Sequence, residues 1–265
     1  MSRMKLSAHL SYLFTELPLV DRFLAARDAG FAAVDLSNVA GFELADVLAG
    51  VRRSGLSVVL TTASIGAFER QGPGTAALPG REQEFRAGCR AVLPYFEGTG
   101  LRWVHFTSGT PAPEVPFERC YATYLDNLRF ALDLFEPRGV GVLVEQINTT
   151  DLPGYFMGDF ALARRAVADL APRDVKLLFD VYHLAMSDLD PVRQFRDCRS
   201  EIGHVHIVDS PGRHEPGTGT IDFAGLFAAA AETAYDGWFC AEYLPQDGTA
   251  AGLGWMRTLP GLQRA

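Results

Sequence analysis

The sequence predicts an α/β protein folded as a single (β/α)8 barrel over residues 1–265. Three observations lead to this fold class. Eight short apolar runs alternate with segments of helical periodicity. The length of 265 residues is close to the roughly 250 residues typical of such a barrel. The chain is 48% hydrophobic, enough to bury a large core, and no polar tract divides it, so we expect one domain.

Each apolar run is short and nearly continuous, as expected for a parallel strand buried on both faces. Right-handed crossovers can join such strands and close them into a barrel. The predicted strands cover residues 5–14 (including the strand's exit), 34–36, 57–61, 103–106, 140–144, 175–179, 204–208 and 238–241.

The segments between the strands place apolar residues three and four positions apart, which is the spacing of one helix face. The clearest example is Leu44, Val47, Leu48 and Val51. The glycine- and proline-rich loop at 64–80 cannot be regular for long, and its length is typical of a functional lid. The predicted helices cover residues 19–26, 44–51, 85–96, 117–135, 162–170, 191–202, 226–235 and 253–259.

Charge and composition restrict the function classes. The formal net charge of -8 argues against a nucleic-acid partner, whose phosphates are bound mainly by Lys and Arg. No apolar stretch reaches the roughly 18 residues needed to span a bilayer, and the N-terminal apolar run is too interrupted for a signal peptide. Four distant cysteines predict neither a zinc knuckle nor a disulfide framework, so we expect reduced thiols and a cytoplasmic protein: Cys89, Cys120, Cys198 and Cys240.

Polar side chains capable of metal binding stand at the ends of the last four predicted strands. They are Glu145, Asp180, His206 and Glu242. Taken singly, each acid also has a structural explanation, such as a helix cap or an ion pair. Their repetition at the C-terminal ends of successive strands, where barrels gather functional groups, favours a shared metal site. Three carboxylates and one imidazole suit a hard divalent cation, Mg2+ or Mn2+ rather than zinc.

The chemistry that such a site favours is isomerisation. A cation that chelates a substrate hydroxyl and its neighbouring carbonyl acidifies the C–H bond between them and stabilises an enediolate. Glu145 and Glu242 come from strands five and eight and could lie on either side of the substrate. We predict that they act as acid and base.

Three more residues are candidates for substrate binding. His183 follows Asp180 closely enough to reach the same substrate, although a hydrogen-bonded loop histidine is an equal alternative. Arg213 lies in the loop after strand seven and could clamp a carboxylate or phosphate; the alternative is an exposed charge paired with Glu215. Glu215, from the same loop, is itself included among the substrate-binding candidates.

The remaining strand-end histidines are expected to be structural. His204 shares strand parity with His206 and should point inward one layer deeper, where a supporting or core role is expected. His9 and His105 are interpreted as packing residues.

Five segments resemble the hydroxypyruvate isomerase family within the xylose-isomerase-like TIM barrels. They recur in order at the expected barrel positions and span most of the chain. The segments are LPGREQEFR (78–86), VEQINTTDLPGYFM (144–157), FDVYHL (179–184), GHVHIVDSPGRHEPGTGTIDF (203–223) and GWFCAEYLP (237–245).

The resemblance implies an aldose–ketose type isomerisation in which the glutamates matching Glu145 and Glu242 transfer the proton. In the related ketose 3-epimerases, residues matching the four strand-end candidates bind Mn2+ or a similar ion, and those matching His183 and Arg213 approach the substrate. The chain departs from hydroxypyruvate isomerases at His206, where these usually have glutamine, and in the loops after strands two and three.

We therefore expect a divalent-metal-dependent isomerase of a small hydroxy-carbonyl compound or sugar, with no nucleic-acid or membrane partner and with a homo-oligomer left open. The nearest alternative is a ketose 3-epimerase of similar architecture. An endonuclease IV-like phosphodiesterase would need a multi-zinc cluster with more histidines, and the chain has only six. A non-catalytic carbohydrate-binding barrel is a further alternative.

Overall fold

The computed structural model describes residues 4–63 and 73–259 and confirms the predicted (β/α)8 barrel. Eight strands are hydrogen-bonded in sequence order, every neighbouring pair is parallel, and β8 closes the barrel by pairing with β1. The strands are β1 Lys5–His9, β2 Ala33–Ser37, β3 Ser57–Ala63, β4 Trp103–Phe106, β5 Gly141–Glu145, β6 Val175–Asp180, β7 Ile202–Ile207 and β8 Trp238–Ala241.

Helices follow the strands and form the outer layer. In chain order they are α1 Leu19–Ala29, α2 Leu44–Ser54, α3 Glu82–Ala91, α4 Phe117–Phe135, α5 Phe160–Leu170, α6 Val181–Ala185, α7 Pro191–Cys198, α8 Phe223–Glu232, α9 Thr249–Gly252 and α10 Trp255–Thr258. Short 3-10 turns lie at Val39–Gly41, Leu93–Tyr95, Glu136–Arg138 and Arg199–Glu201. Within the described residues, no helix is both long and apolar enough to cross a membrane.

Helix boundaries differ from the predictions in several places. The predicted helix at 226–235 covers Phe223–Glu232, and the predicted helix at 191–202 ends as an α-helix at Cys198 and continues as a 3-10 turn. The predicted helix at 85–96 ends as an α-helix at Ala91 and continues as a 3-10 turn. The helix after β6 was not predicted as a separate element. The predicted closing helix at 253–259 is shorter than expected and covers Trp255–Thr258 (α10), and a second four-residue helix, α9, precedes it.

The barrel interior is layered, because residues two apart on a strand point to the same side. An apolar layer comes first: Leu60, Trp103, Leu143 and Leu178. Trp103 fills so much space that a Cβ on Gly141 would lie 2.4 Å from its ring. Two residues further along β5 and β6, the same inward face carries Glu145 and Asp180 at the C-terminal end of the barrel.

Candidate active site

The structure brings the four strand-end candidates together inside the mouth of the barrel. Single ligand atoms from Glu145, Asp180 and His206 all lie within 4.8 Å of one another. Glu242 joins them through Oε2, which is 3.1 Å from His206 Nδ1. All four residues are buried. The common strand-end position therefore produces one cluster from residues that are far apart in sequence.

Asp180 makes the helix cap that was one of its two alternatives, and it does so with only one of its oxygens. Its Oδ1 accepts hydrogen bonds from the backbone N–H groups of Tyr182, at 2.8 Å, and His183, at 3.1 Å, and so caps the short helix α6. Its Oδ2 is buried without a hydrogen-bond partner among the described residues and lies 3.8 Å from His206 Nδ1. One oxygen thus fixes the carboxylate, and the other remains available to a ligand.

Burial and mutual charge shift the pKa values within the cluster. Burial would lower the pKa of His206, but the carboxylates of Glu242, Glu145 and Asp180 outweigh it and raise the pKa to about 10. Burial, followed by repulsion from Asp180, raises the pKa of Glu145 well above its usual value. Burial acts in the same direction on Glu242, but its ion pair with His206 lowers the pKa of that carboxyl instead.

The donor set fits a divalent cation. Three carboxylates and an imidazole nitrogen converge in a buried volume, and Asp180 Oδ2 has no hydrogen-bond partner there among the described residues. A divalent charge would offset the repulsion between Glu145 and Asp180 and favour the ionised form of both.

His9 and His105, expected to be packing residues, also contact the two glutamates. His105 Nε2 lies 3.4 Å from Glu145 Oε2, and His9 Nε2 lies 3.6 Å from Glu242 Oε1. Burial lowers the pKa of His9 to about 4 and that of His105 to about 3, so both rings are neutral at pH 7. Each glutamate therefore has one oxygen facing His206 and the other facing a neutral imidazole.

Arg213 approaches the cluster from the loop after β7. Its Nη2 lies 3.3 Å from Glu242 Oε2, and its guanidinium stacks over the ring of Tyr182 at 4.8 Å. The suggested pairing with Glu215 does not occur. The Arg213 side chain keeps 25% of its surface exposed, so the charge remains accessible from the mouth of the barrel.

His183 is held in a defined tautomer next to the cluster. Asn148 Nδ2 lies 2.7 Å from His183 Nδ1, and the Asn148 backbone N–H donates to the same atom at 3.4 Å. The amide orientation is fixed because Asn148 Oδ1 accepts from the backbone of Asp151. His183 Nδ1 is therefore an acceptor, and its proton lies on Nε2, where it can be donated to a ligand.

Glu215 lies apart from the four residues. Its Oε1 accepts a hydrogen bond from the backbone N–H of Gln246 at 3.1 Å, and the carboxylate packs against Gly252 in α9. It lines a separate cavity of about 360 Å3 together with Trp255 and other residues of the C-terminal segment. Its other oxygen, Oε2, is buried without a hydrogen-bond partner among the described residues. Most of the predicted lid, residues 64–72, lies outside the described residues.

Asp35 is a buried polar residue that the sequence analysis did not single out. It lies in β2, is fully buried, and its Oδ2 is 2.7 Å from His204 Nε2. His204 thus lies deeper than His206, as its parity predicted, and is hydrogen-bonded inside the barrel. The detectable signal in the sequence was a carboxylate in the middle of an otherwise apolar strand.

Known proteins match the chain over nearly its whole length. The xylose isomerase-like TIM barrel family matches residues 23–259. The 2-oxo-tetronate isomerase of Cupriavidus necator is 35% identical over 97% of this chain and 99% of its own. The hydroxypyruvate isomerase of Escherichia coli is 31% identical over 96% of this chain and 98% of its own.

Solved structures agree on the fold. A crystal structure described as an AP endonuclease, family 2, from Brucella melitensis has a TM-score of 0.90 at 33% identity, covering 97% of this chain and 98% of that one. The D-psicose 3-epimerase of Clostridium cellulolyticum has a TM-score of 0.77 at 15% identity, covering 94% and 89%, a similarity of fold alone. With the full-length isomerase relatives, these matches show that the chain is an isomerase and belongs to the xylose isomerase-like TIM barrel family.

Proposed function

We propose that this isomerase depends on a divalent metal and interconverts a small hydroxy-ketone and hydroxy-aldehyde through an enediolate. The observation that carries the proposal is the convergence of Glu145, Asp180, His206 and Glu242 in one buried cluster. Relatives that are 31–35% identical over nearly the full length are hydroxypyruvate and 2-oxo-tetronate isomerases, so we propose a small 2-oxo acid as the substrate class.

Glu145, Asp180, His206 and Glu242 would hold the cation, Mn2+ or Mg2+. When bound, the cation would polarise the substrate carbonyl and its neighbouring hydroxyl and so lower the barrier to removing the intervening C–H proton. Asp180 would bind the cation without exchanging a proton, because its other oxygen already caps α6.

Glu145 and Glu242 would exchange the proton. Glu145 ends β5 and Glu242 directly follows β8, three strands apart around the barrel, so a substrate between them presents different atoms to each. One carboxylate removes the proton from the hydroxyl-bearing carbon, and a proton is returned to the adjacent carbon. The hydroxyl oxygen gives up its proton and the former carbonyl oxygen gains one, which completes the shift of the carbonyl. The neutral imidazoles of His9 and His105 restrict the rotation of the two carboxylates by contacting their outer oxygens.

Arg213 and His183 would bind the non-reacting part of the substrate. The guanidinium of Arg213 can accept a substrate carboxylate in a bidentate arrangement, and its partial exposure allows access. His183 donates from Nε2, because Nδ1 is occupied by Asn148. The positive charge of Arg213 and the N–H donor of His183, beside the three carboxylates, favour an anionic hydroxy-oxo compound over a neutral one.

The test is proton exchange in D2O with Mg2+, followed by NMR, for hydroxypyruvate, 2-oxo-tetronate and D-psicose. The proposal predicts turnover of a 2-oxo acid with deuterium entering the carbons that exchange the carbonyl. Glu242→Gln should abolish both exchange and turnover, whereas Glu232→Gln, in an exposed ion pair with Arg196, should leave them unchanged. Wild-type turnover by the Glu242→Gln variant would refute the mechanism.

A ketose 3-epimerase is the second candidate, because His206 matches the epimerases where hydroxypyruvate isomerases usually have glutamine. The same two glutamates would then act on a C3 proton. Deuterium entering only C3 of a ketose, without movement of its carbonyl, would favour this candidate over the isomerase.

The description of the Brucella melitensis structure raises a phosphodiesterase as a third candidate. The net charge of -8 opposes binding of a polyanion. We expect one metal ion per chain and no cleavage of abasic-site DNA. A multinuclear zinc content accompanied by strand cleavage would replace the isomerase proposal with this one.

A further inference from the structure

A second buried network lies directly behind His206. Asp35 on β2 is fully buried, and its Oδ2 lies 2.7 Å from His204 Nε2 and 3.8 Å from His206 Nε2. The His206 ring therefore has carboxylates on both sides: those of the candidate metal cluster on one side and that of Asp35 on the other. Its Nδ1 faces the candidate metal cluster, and its Nε2 faces the single carboxylate of Asp35.

Only one of the two ring nitrogens of His206 can bind a cation, so the tautomer of the ring has to be fixed. A neutral imidazole carries its proton on one nitrogen and a lone pair on the other, and only the lone pair can bind a cation. Since Nδ1 faces Glu145, Asp180 and Glu242, the lone pair has to be on Nδ1 and the proton on Nε2. His206 Nε2 has no hydrogen-bond partner among the residues that the structure describes, and Asp35 Oδ2 is the carboxylate oxygen that faces it.

We propose that Asp35 is a positioning residue that fixes the Nε2–H tautomer of His206 and so presents Nδ1 to the metal, while His204 holds Asp35 in place. This inference rests on the proposed function, because it assumes a cation at the cluster. The 3.8 Å separation between Asp35 Oδ2 and His206 Nε2 becomes a hydrogen bond after a shift of less than 1 Å. Carboxylates that accept from a metal-bound histidine typically contribute 10- to 100-fold to metal affinity.

A cation bound between Asp35, His204, His206 and Cys240 would explain the same residues differently, since their ligand atoms also lie within 4.8 Å of one another. The 2.7 Å contact between Asp35 Oδ2 and His204 Nε2 favours our inference, because it is already a hydrogen bond. A second ion would also have to reach a deeper position, since Asp35, His204 and Cys240 have no exposed surface. The test therefore also measures how many ions each chain binds.

The first experiment titrates Mn2+ into the full-length protein and follows free Mn2+ by electron paramagnetic resonance. We expect one ion per chain, about 10-fold weaker binding in Asp35→Asn, and 10- to 100-fold weaker binding in Asp35→Ala. Cys240→Ala is the matched control, because Cys240 also adjoins Asp35 inside the barrel but supplies no acceptor to His206. Thermal unfolding of the metal-free variants separates loss of affinity from loss of fold.

Each outcome of this titration has one meaning. Unchanged affinity in a folded Asp35→Ala variant overturns the role of Asp35 and leaves the proposed function standing. Equal losses in Asp35→Ala and Cys240→Ala overturn it as well, since they indicate general damage to the interior. Two ions per wild-type chain assign the network to a second site. No binding to the wild-type protein overturns both the inference and the proposed function.

The second experiment needs no variant of Asp35 and therefore stands even if such variants fail to fold. Histidine ring nitrogens are labelled with 15N in the wild-type protein saturated with diamagnetic Mg2+, and two-bond 1H–15N correlations identify which nitrogen carries the proton. The His206 signals are assigned by their absence in His206→Gln. We expect a protonated Nε2 and a bare Nδ1. A protonated Nδ1 in the loaded protein overturns the inference.

Discussion

The loop that carries Arg213 depends on one buried carboxylate, and removing its charge gives a quantitative test of how the site is positioned. Asp209 is fully buried and lies two residues after the end of β7. Its Oδ2 accepts from the backbone N–H groups of Gly217 at 2.7 Å and Gly219 at 2.9 Å, and its Oδ1 accepts from Ser210 at 2.8 Å and Ile221 at 3.1 Å. The Asp209 carboxylate thus accepts hydrogen bonds from residues on both sides of Arg213 in the loop.

The substitution Asp209→Asn turns one acceptor oxygen into an N–H2 donor. Two of the four backbone N–H groups then face a donor and lose their partner. At about 1–2 kcal/mol for each bond lost, the loop should be destabilised by roughly 2–4 kcal/mol. Because 1.4 kcal/mol corresponds to a factor of ten, local opening of the loop becomes about 30- to 700-fold more frequent, provided that opening is local rather than global.

Native-state hydrogen exchange measures this directly. The amide protons of Gly217, Gly219 and Ile221 should exchange faster by that factor in Asp209→Asn, while amides in the barrel strands change little. Asp190→Asn is a control, since Asp190 caps the exposed start of α7 and asparagine caps almost as well. Unchanged exchange at the three amides would refute the claim that Asp209 holds this loop.

Three further predictions concern the site and the core. Arg213→Gln should reduce kcat/KM for an anionic substrate by about 10- to 150-fold, because it removes one charge-assisted contact, and should have a smaller effect on a neutral ketose. Steady-state kinetics on both substrates measure this difference. Glu145→Gln should lower kcat by about 10²- to 10⁴-fold with the far-ultraviolet circular dichroism unchanged, and a smaller loss would remove Glu145 from the acid–base pair. Phe106→Ala should lower the free energy of unfolding by about 3–5 kcal/mol in urea titrations, because Phe106 is fully buried between Phe85 and Phe135, whereas Phe117→Ala, at 44% exposure, should cost much less.

The barrel and the position of its cluster could be predicted because both follow from local patterns. Eight apolar runs alternating with helical segments admit few closed arrangements, and strand ends in a parallel barrel meet at one face. A polar residue at the end of each of the last four runs is then enough to predict a meeting point. The structure places Glu145, Asp180, His206 and Glu242 at that point without any of their individual contacts having been predictable.

Contacts across the barrel could not be read from the sequence. Asp35 and His204 are separated by 169 positions and meet only because β2 and β7 face each other through the interior. The contacts of His9 and His105 with the two glutamates depend in the same way on side-chain reach across the mouth. For such pairs, strand parity shows which side a residue faces but not which partner it meets.

Loop residues were predicted least well, because loop geometry follows from particular hydrogen bonds. Arg213 and Glu215 are two residues apart, yet Arg213 contacts Glu242 at the cluster and Glu215 contacts Gln246 in the C-terminal segment. Arg213 also has a positive φ of 56°, which reverses the chain locally and which no composition rule predicts. The four bonds to Asp209 explain how this geometry is maintained.

The most direct test of the central claim is a crystal structure of the full-length protein soaked with Mn2+, with an anomalous difference map collected above the manganese absorption edge. We expect one peak per chain in contact with Glu145, Asp180, His206 and Glu242. The peak should disappear in Asp180→Asn, which retains the Oδ1 cap of α6 but loses the charge. A peak elsewhere, or an empty cluster at saturating Mn2+, would contradict a metal site shared by these four residues.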